Sequence, residues 1–225
     1  MVSADVESFD LSAVPLFPLP NVVFFPRAVL PLHIFEERYK AMTADSLRGN
    51  RQIAMALLKS GWEKDYYQRP LIEPVVCMGR ILSHEKLPDG RYNFLLEGAC
   101  RARIVREFDG KPYRVAQLEA LRETRILELD LEDARTRFRT AFEQEPVASS
   151  GIGCQFRQLI RGPLPTAQIA DLVAFNFLED CALRQELLAE TDVRLRIDRT
   201  LAALCTALAA FTPSAVPSDN RPGLN

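Results

Sequence analysis

The sequence predicts an α+β protein: a curled antiparallel β-sheet or partly open barrel carrying one helix, followed by a C-terminal helical bundle. Three observations carry that expectation. Over residues 14–121 the chain falls into short apolar or alternating runs separated by Pro and Gly, the pattern of strands and turns. One helix-period stretch, residues 35–47, interrupts them. After Thr124 the period changes to the 3/4 spacing of amphipathic helices. The expected divisions are a β-rich lobe at 1–123, a helical lobe at 124–212 and a flexible tail at 213–225.

The strand candidates are "VPLF", "VVFF", "VLPLHI", "IAMALL", "VVCMGRILSHEKL", "RYNFLLEGACRARIV" and "YRVAQLEAL". The clearest turn is "KLPDGRY": Pro88 presets the first turn angle, Asp89 suits a turn and Gly90 tolerates positive φ. Beyond it, Tyr92, Phe94 and Leu96 fall on one strand face and Asn93, Leu95 and Glu97 on the other. Gly98 interrupts this alternation and predicts a bulge or sharp bend. The prolines at 15, 18, 20, 26 and 31 lack the N–H that a ladder requires, so the opening strands are expected to be broken, bulged or at an edge.

In the predicted first helix Phe35, Tyr39 and Met42 recur at helical spacing. Residues 60–74, "SGWEKDYYQRPLIEP", are aromatic, charged and aperiodic and read as a long surface loop. In the second half Leu131, Ala134, Phe138 and Ala141 mark one helix, and residues 169–178 are apolar nearly all round. A longer rhythm runs through Val193, Ile197, Leu201, Leu204, Leu208 and Phe211. Between them, "SSGIGC" reads as a flexible connection ahead of a short helix at 154–160.

At 225 residues and 48% hydrophobic the chain is long enough for a sizeable core. A formal charge of −2 gives no whole-chain electrostatic reason to bind nucleic acid or an anionic membrane. The opening "MVSADVESFD" is acidic where a signal peptide is basic, and no uninterrupted run is long enough to span a bilayer, so a cytoplasmic protein is expected. The cysteines at 77, 100, 154, 181 and 205 contain no C-x-x-C pair and signal neither a disulfide framework nor a zinc site.

Catalytic chemistry has few candidates. The two histidines are His33 and His84, and a cryptic hydrolase needs one of them beside Cys77 or a serine. No nucleophile elbow or phosphate-binding loop is present, and no cofactor or metal is implied. Arg101 and Arg103 share a strand face, with Arg106 and Lys111 beyond; interspersed acids favour a solvated outer face with Arg–Glu pairs over a phosphate-binding patch. Trp62, Tyr66 and Tyr67 crowd one polar loop, either as anchors for a partner or as a lid folded onto the barrel.

These residues together resemble the N-terminal domain of the ATP-dependent Lon protease family. The resemblance rests on Pro18, Leu19, Val23, Phe25, Pro26, Pro31 and Leu32; on Gly79, Arg80 and Ile81; on Asp89 and Gly90; and on Leu95, Gly98, Arg101 and Ile104. In the second half it continues through Asp171, Leu172, Ala174, Gln185, Leu187, Leu188 and Asp192, so that it spans residues 14–211. It implies a PUA-like pseudo-barrel followed by a helical lobe, and the recognition role of that domain, which engages polypeptide substrates and contributes to assembly. Neither the nucleotide-hydrolysing nor the Ser–Lys peptidase module of the family is recognisable here, so a non-catalytic peptide-recognition protein is expected. Trp62, Tyr66, Tyr67 and Phe156 are its candidate peptide contacts, in a groove between the lobes. Pro18, Pro26, Pro31, Gly79, Asp89, Gly90, Gly98 and Arg101 are candidates for shaping the backbone and packing the lobes. An adaptor or regulatory subunit docking on a separate protease complex is the alternative reading, and a homo-oligomer is compatible with either.

Overall fold

β5 (Tyr92–Phe108) organises the sheet. At ~3.3 Å per residue its 17 residues span roughly 55 Å, too long for one flat ladder, and it serves three partners. In this computed structural model, which describes residues 9–65 and 68–211, β5 pairs along most of its length with β4 (Val75–Lys86). Its first half also pairs with β2 (Val29–Ile34) and its second half with β6 (Arg114–Ala120). β3 (Gln52–Leu57) and β1 (Val14–Leu19) complete a ring in the order β5-β4-β3-β1-β6-β5. All pairings are antiparallel except β1–β3, which is parallel because the chain crosses over through β2 and α1 (Glu37–Arg48) between them. The expected tail at 213–225, Tyr66 and Tyr67 lie outside the described residues.

The barrel is filled by small and medium side chains from all five ring strands: Val14, Leu16, Ala54, Ala56, Val76, Met78, Cys100, Ala102, Ala116 and Leu118. Outside it, Phe17, Ile53, Met55, Cys77, Phe94 and Leu96 form a second apolar layer. Tyr39 and Met42 of α1 cover this layer, with Tyr39 4.5 Å from the Phe17 ring. β3 is buried on both faces, which explains its unbroken apolar run after Gln52. Phe35 precedes the helix and is 63% exposed, so the apolar face of α1 rests on Tyr39 and Met42 without it.

β1 does not lie at an edge, despite its two prolines. Val14–Leu16 faces β6 and Leu16–Leu19 faces β3, so each half of the strand has one partner and tolerates a missing donor. The hairpin forms as expected between Lys86 and Tyr92, with Gly90 at φ 84° and the Asp89 carboxylate accepting from the Arg91 N–H at 3.1 Å.

The second half of the chain contributes α2 (Glu132–Phe142), α3 (Gly151–Arg161), α4 (Thr166–Phe177), α5 (Cys181–Ala189) and α6 (Val193–Phe211). The segment read as a flexible connection opens α3 instead: the Ser150 hydroxyl accepts from the Gly153 N–H at 3.0 Å, a side-chain cap. Phe138, Phe142, Phe156, Ile169, Val173, Ile197, Leu201 and Leu204 form the helical core. Ala174, Leu178, Leu187 and Leu188 join the outer layer of the sheet, so α4 and α5 pack against the barrel.

Candidate peptide-binding groove

The proline-rich opening leaves β1 and runs between the sheet and α5. Val23, Phe24 and Phe25 are buried there; Arg184 donates to Val23 O at 2.8 Å, and Phe24 meets Phe175 edge-on at 5.9 Å. The segment then turns at Phe25-Pro26-Arg27-Ala28, where the Ala28 N–H donates to Phe25 O at 3.2 Å. Pro26 supplies the fixed φ of the first corner and Arg27, at φ 66°, occupies the second, a position that favours glycine. A left-handed backbone costs an arginine about 1 kcal/mol, and Gly98 holds it there. The Arg27 N–H donates to Gly98 O at 2.8 Å and the Gly98 N–H to Ala28 O at 2.9 Å. A Cβ on Gly98 would lie 2.0 Å from Phe25 O, so only glycine admits the approach.

Across from this turn stand the end of α3 and the α3–α4 connection. Arg135 of α2 gathers the carbonyls of that connection, donating to Ile160 O at 2.9 Å, Gly162 O at 2.6 Å and Leu164 O at 2.9 Å. Glu128 accepts the Thr166 N–H at 3.0 Å and pairs with Arg135. The connection is therefore a fixed wall, and Pro163 and Pro165 give it no N–H at those positions. Between turn and wall lies a groove of about 720 Å³. Its apolar lining is Leu159, Pro163, Leu164 and Pro165; its polar lining includes Arg27 and the carboxamides of Gln155, Gln158 and Gln168.

The groove adjoins the uncovered face of β2, β5 and β4. Arg27 reaches Glu97 at 3.9 Å, and Glu97 pairs in register with Val29. Val29 and Leu95 on this face are exposed, as is Leu82 at the β4 bulge beside it. Since the Gly98 N–H bonds Ala28 O, alternation along the ladder sends the main-chain groups of Val29, Pro31 and His33 to the free edge. Pro31 removes the middle donor, which disfavours addition of a further strand.

Farther along β5 the sheet and helices are locked together by buried charge. The Gly98–Ala99 bulge reverses side-chain alternation, so Arg101 points toward the helices on the same side as Phe94 and Leu96. Arg101 and Arg103 do share a face, but only Arg103 is solvated: Arg101 is 3% exposed, which corrects the reading of a solvent-facing cluster. Its guanidinium forks onto Asp171 of α4, with one bond of 2.9 Å, and also reaches Glu123 at 2.9 Å and Leu188 O at 3.0 Å. Arg196 of α6, equally buried, lies 2.7 Å from Glu123 and 3.2 Å from Asp171. Burial opposes the charge on Arg101, and Asp171 with Glu123 more than offsets it, raising its pKa above the ordinary arginine value.

The aromatic candidates do not converge. Phe156 is 4% exposed and stacks on Phe142 at 5.1 Å, with Phe177 edge-on at 5.0 Å; it is a core residue and not an anchor. Trp62 is half-buried in a short turn of the 60–74 loop. The later part of that loop is fastened to the far end of β5, through Arg69 to Asp109 at 2.7 Å and Arg114 to Pro70 O at 2.6 Å. Nor do the catalytic candidates meet. The His33 ring lies between Asn93 Oδ1 at 2.7 Å and Arg91 Nη1 at 3.3 Å. Cys77 is fully buried, which pushes its thiol well above the usual range, and His84 stands seven residues along β4, about 23 Å away. Among the described residues no helix is long and apolar enough to cross a membrane.

Sequence reasoning missed Arg27, Arg135, Arg196 and the three groove glutamines. Arg196 had a signal: it falls three residues after Val193 on the apolar stripe of α6, where a lone charge requires a buried partner. The glutamines had none, being ordinary helix residues, exposed at 155 and 158 and half-buried at 168.

The family model of the ATP-dependent protease La (LON) substrate-binding domain matches residues 13–206. The Lon protease of Desulfosudis oleivorans is 24% identical over 186 residues, covering 83% of this chain and 23% of that protein. Lon protease 2 of Sorangium cellulosum is 25% identical, over 86% of this chain and 24% of that protein. The chain thus spans about a quarter of the length of these relatives. Among solved structures, the N-terminal domain of Mycobacterium avium complex Lon protease superimposes with a TM-score of 0.67 at 13% identity, over 86% of this chain and 98% of that one. A Lon N-terminal domain protein from Xanthomonas campestris gives 0.62 at 21% identity, over 85% and 98%. The family model covers most of the chain and the solved domains share its fold: the chain belongs to the Lon substrate-binding domain family.

Proposed function

We propose that this protein captures extended segments of polypeptide in the groove between the Phe25–Ala28 turn and the α3–α4 connection, without breaking bonds in them. The observation that carries the reading is the groove itself: an apolar wall of Leu159, Pro163, Leu164 and Pro165 with three flexible carboxamides, facing Arg27 across the opening. Glutamine side chains both donate and accept, which suits main-chain amides of any sequence. The family's substrate-binding role supports it, and the lack of a histidine–thiol contact at Cys77 gives no support to a hydrolase. A cytoplasmic site of action belongs to the same proposal, supported by five free cysteines. Trp62 remains a proposed accessory contact from its own loop.

Hydrogen exchange in the presence of a permanently unfolded polypeptide tests this reading. Protection is expected at 25–28 and 155–168, with the intact mass of the polypeptide unchanged over hours. Protection confined to other surfaces, or accumulation of cleaved fragments, contradicts it. Docking on a separate protease complex is the second reading, favoured by the exposed Val29, Leu82 and Leu95 around the free sheet face. Protection of that face by a partner from native extract, with the groove unaffected, identifies it.

A further inference from the structure

We infer that the segment seated in this groove carries a carboxylate, held by Arg27; the inference rests on the groove reading above. Three features of the site converge on an anion. First, the lining residues include one cation and no carboxylate, and the nearest carboxylate, Glu97, stands off at 3.9 Å outside the lining. The α3 carbonyl end, which would repel an anion, is covered by the Arg135 guanidinium through Ile160 O and Gly162 O. Second, Arg27 is not committed elsewhere. Its contact with Glu97 is 3.9 Å, beyond hydrogen-bond length, and its side chain is 46% exposed. Its fork of N–H donors is therefore available for bidentate pairing with a carboxylate. Third, the backbone of Arg27 sits at φ 66°, where glycine is relaxed and arginine is strained. The turn is held there by Gly98 on one side and Pro26 on the other, so the guanidinium is presented from a fixed base.

The ligand that fits is an extended apolar segment: side chains on Leu159 and Leu164, main-chain amides on Gln155, Gln158 and Gln168, and one carboxylate at Arg27. A glutamate or aspartate side chain and a free C-terminus share that chemistry. Three fluorescent peptides of one apolar sequence separate them: an internal Glu with an amidated end, an internal Gln with an amidated end, and an internal Gln with a free carboxyl end. Each is titrated by anisotropy against the wild-type protein and Arg27→Gly, a variant that relieves the backbone strain and is expected to melt no lower than wild type.

At least one carboxylate peptide is expected to bind wild type about tenfold tighter than the doubly neutral peptide, with the advantage shrinking in added salt. Whichever of the two gains identifies the source, and a gain by both assigns the shared group. Arg27→Gly is expected to bind all three alike, near the neutral peptide's affinity. Equal binding of all three by wild type, or a preference that survives Arg27→Gly, overturns the carboxylate seat and leaves the groove reading standing. Failure of all three to bind contradicts the groove reading and the seat with it.

Discussion

Arg101 and Arg27 both face the helical half of the molecule from the strand half, one into a closed seam and the other into an open groove. In the seam, Arg101 and Arg196 meet Asp171 and Glu123, and both guanidiniums are almost wholly buried. In the groove, Arg27 has only a long contact with Glu97 and keeps nearly half of its side chain in solvent. The same residue type thus holds the structure together where its donors are used and presents a charge where they are not. Buried ion pairs are costly to break, whereas exposed ones contribute little, so the two sites separate stability from binding.

The largest expected effect follows from breaking the seam. Asp171→Ala leaves two buried guanidiniums with Glu123 as their shared carboxylate and is expected to destabilise by about 3–5 kcal/mol, read as a lower denaturant midpoint. A loss under about 1 kcal/mol shows that the seam is more hydrated than its burial indicates.

Gly98→Ala comes next, because it strikes the link that carries the groove's turn. The added Cβ must push Phe25 O from 2.0 Å to ordinary contact, at a cost of about 1–3 kcal/mol. Unlike Asp171→Ala, it is expected to weaken peptide binding in the fraction that remains folded, since the 25–28 turn moves.

Asp45 gives a pH-dependent comparison away from both sites. It accepts from the Tyr113 hydroxyl at 2.6 Å and from Lys111 at 2.9 Å, and these bonds hold its carboxyl down to about 2. A depressed folded-state value means the stabilisation is complete above the unfolded value near 3.9 and disappears as pH falls toward 2. Asp45→Asn is therefore expected to lose on the order of 1–2 kcal/mol at pH 7, with the gap closing between about pH 4 and 2. A gap independent of pH contradicts the assignment. The smallest effect on stability is that of Arg27→Gly, within about 1 kcal/mol of wild type in thermal melts.

The features legible in the sequence were those decided locally. The Asp89–Gly90 hairpin, the glycine interruption at 98 and the helical stripe of Val193, Ile197, Leu201 and Leu204 follow from turn chemistry and period alone. What escaped depends on partners distant in the chain. The alternation that would place Arg101 in solvent is reversed by a bulge whose position is set by Phe25 and Ala28, far earlier in the chain. Pro15 and Pro18 suggest an edge, yet β1 sits inside the ring because each half of it pairs on one side. "SSGIGC" has the composition of a loop, and its serine turned out to be a helix cap. In the groove, the wall is made by ordinary leucines, prolines and glutamines that only the fold brings opposite Arg27.

Two matched substitutions decide whether peptide capture is centred on the groove or follows exposed apolar surface in general. Leu159 lines the groove, and Leu129 is 78% exposed outside it; each is changed to Glu and titrated with one fluorescent unfolded polypeptide. Leu159→Glu is expected to weaken binding at least tenfold with an unchanged melting temperature, and Leu129→Glu to bind as wild type does. Unchanged affinity in Leu159→Glu, or a loss confined to Leu129→Glu, contradicts capture in the groove.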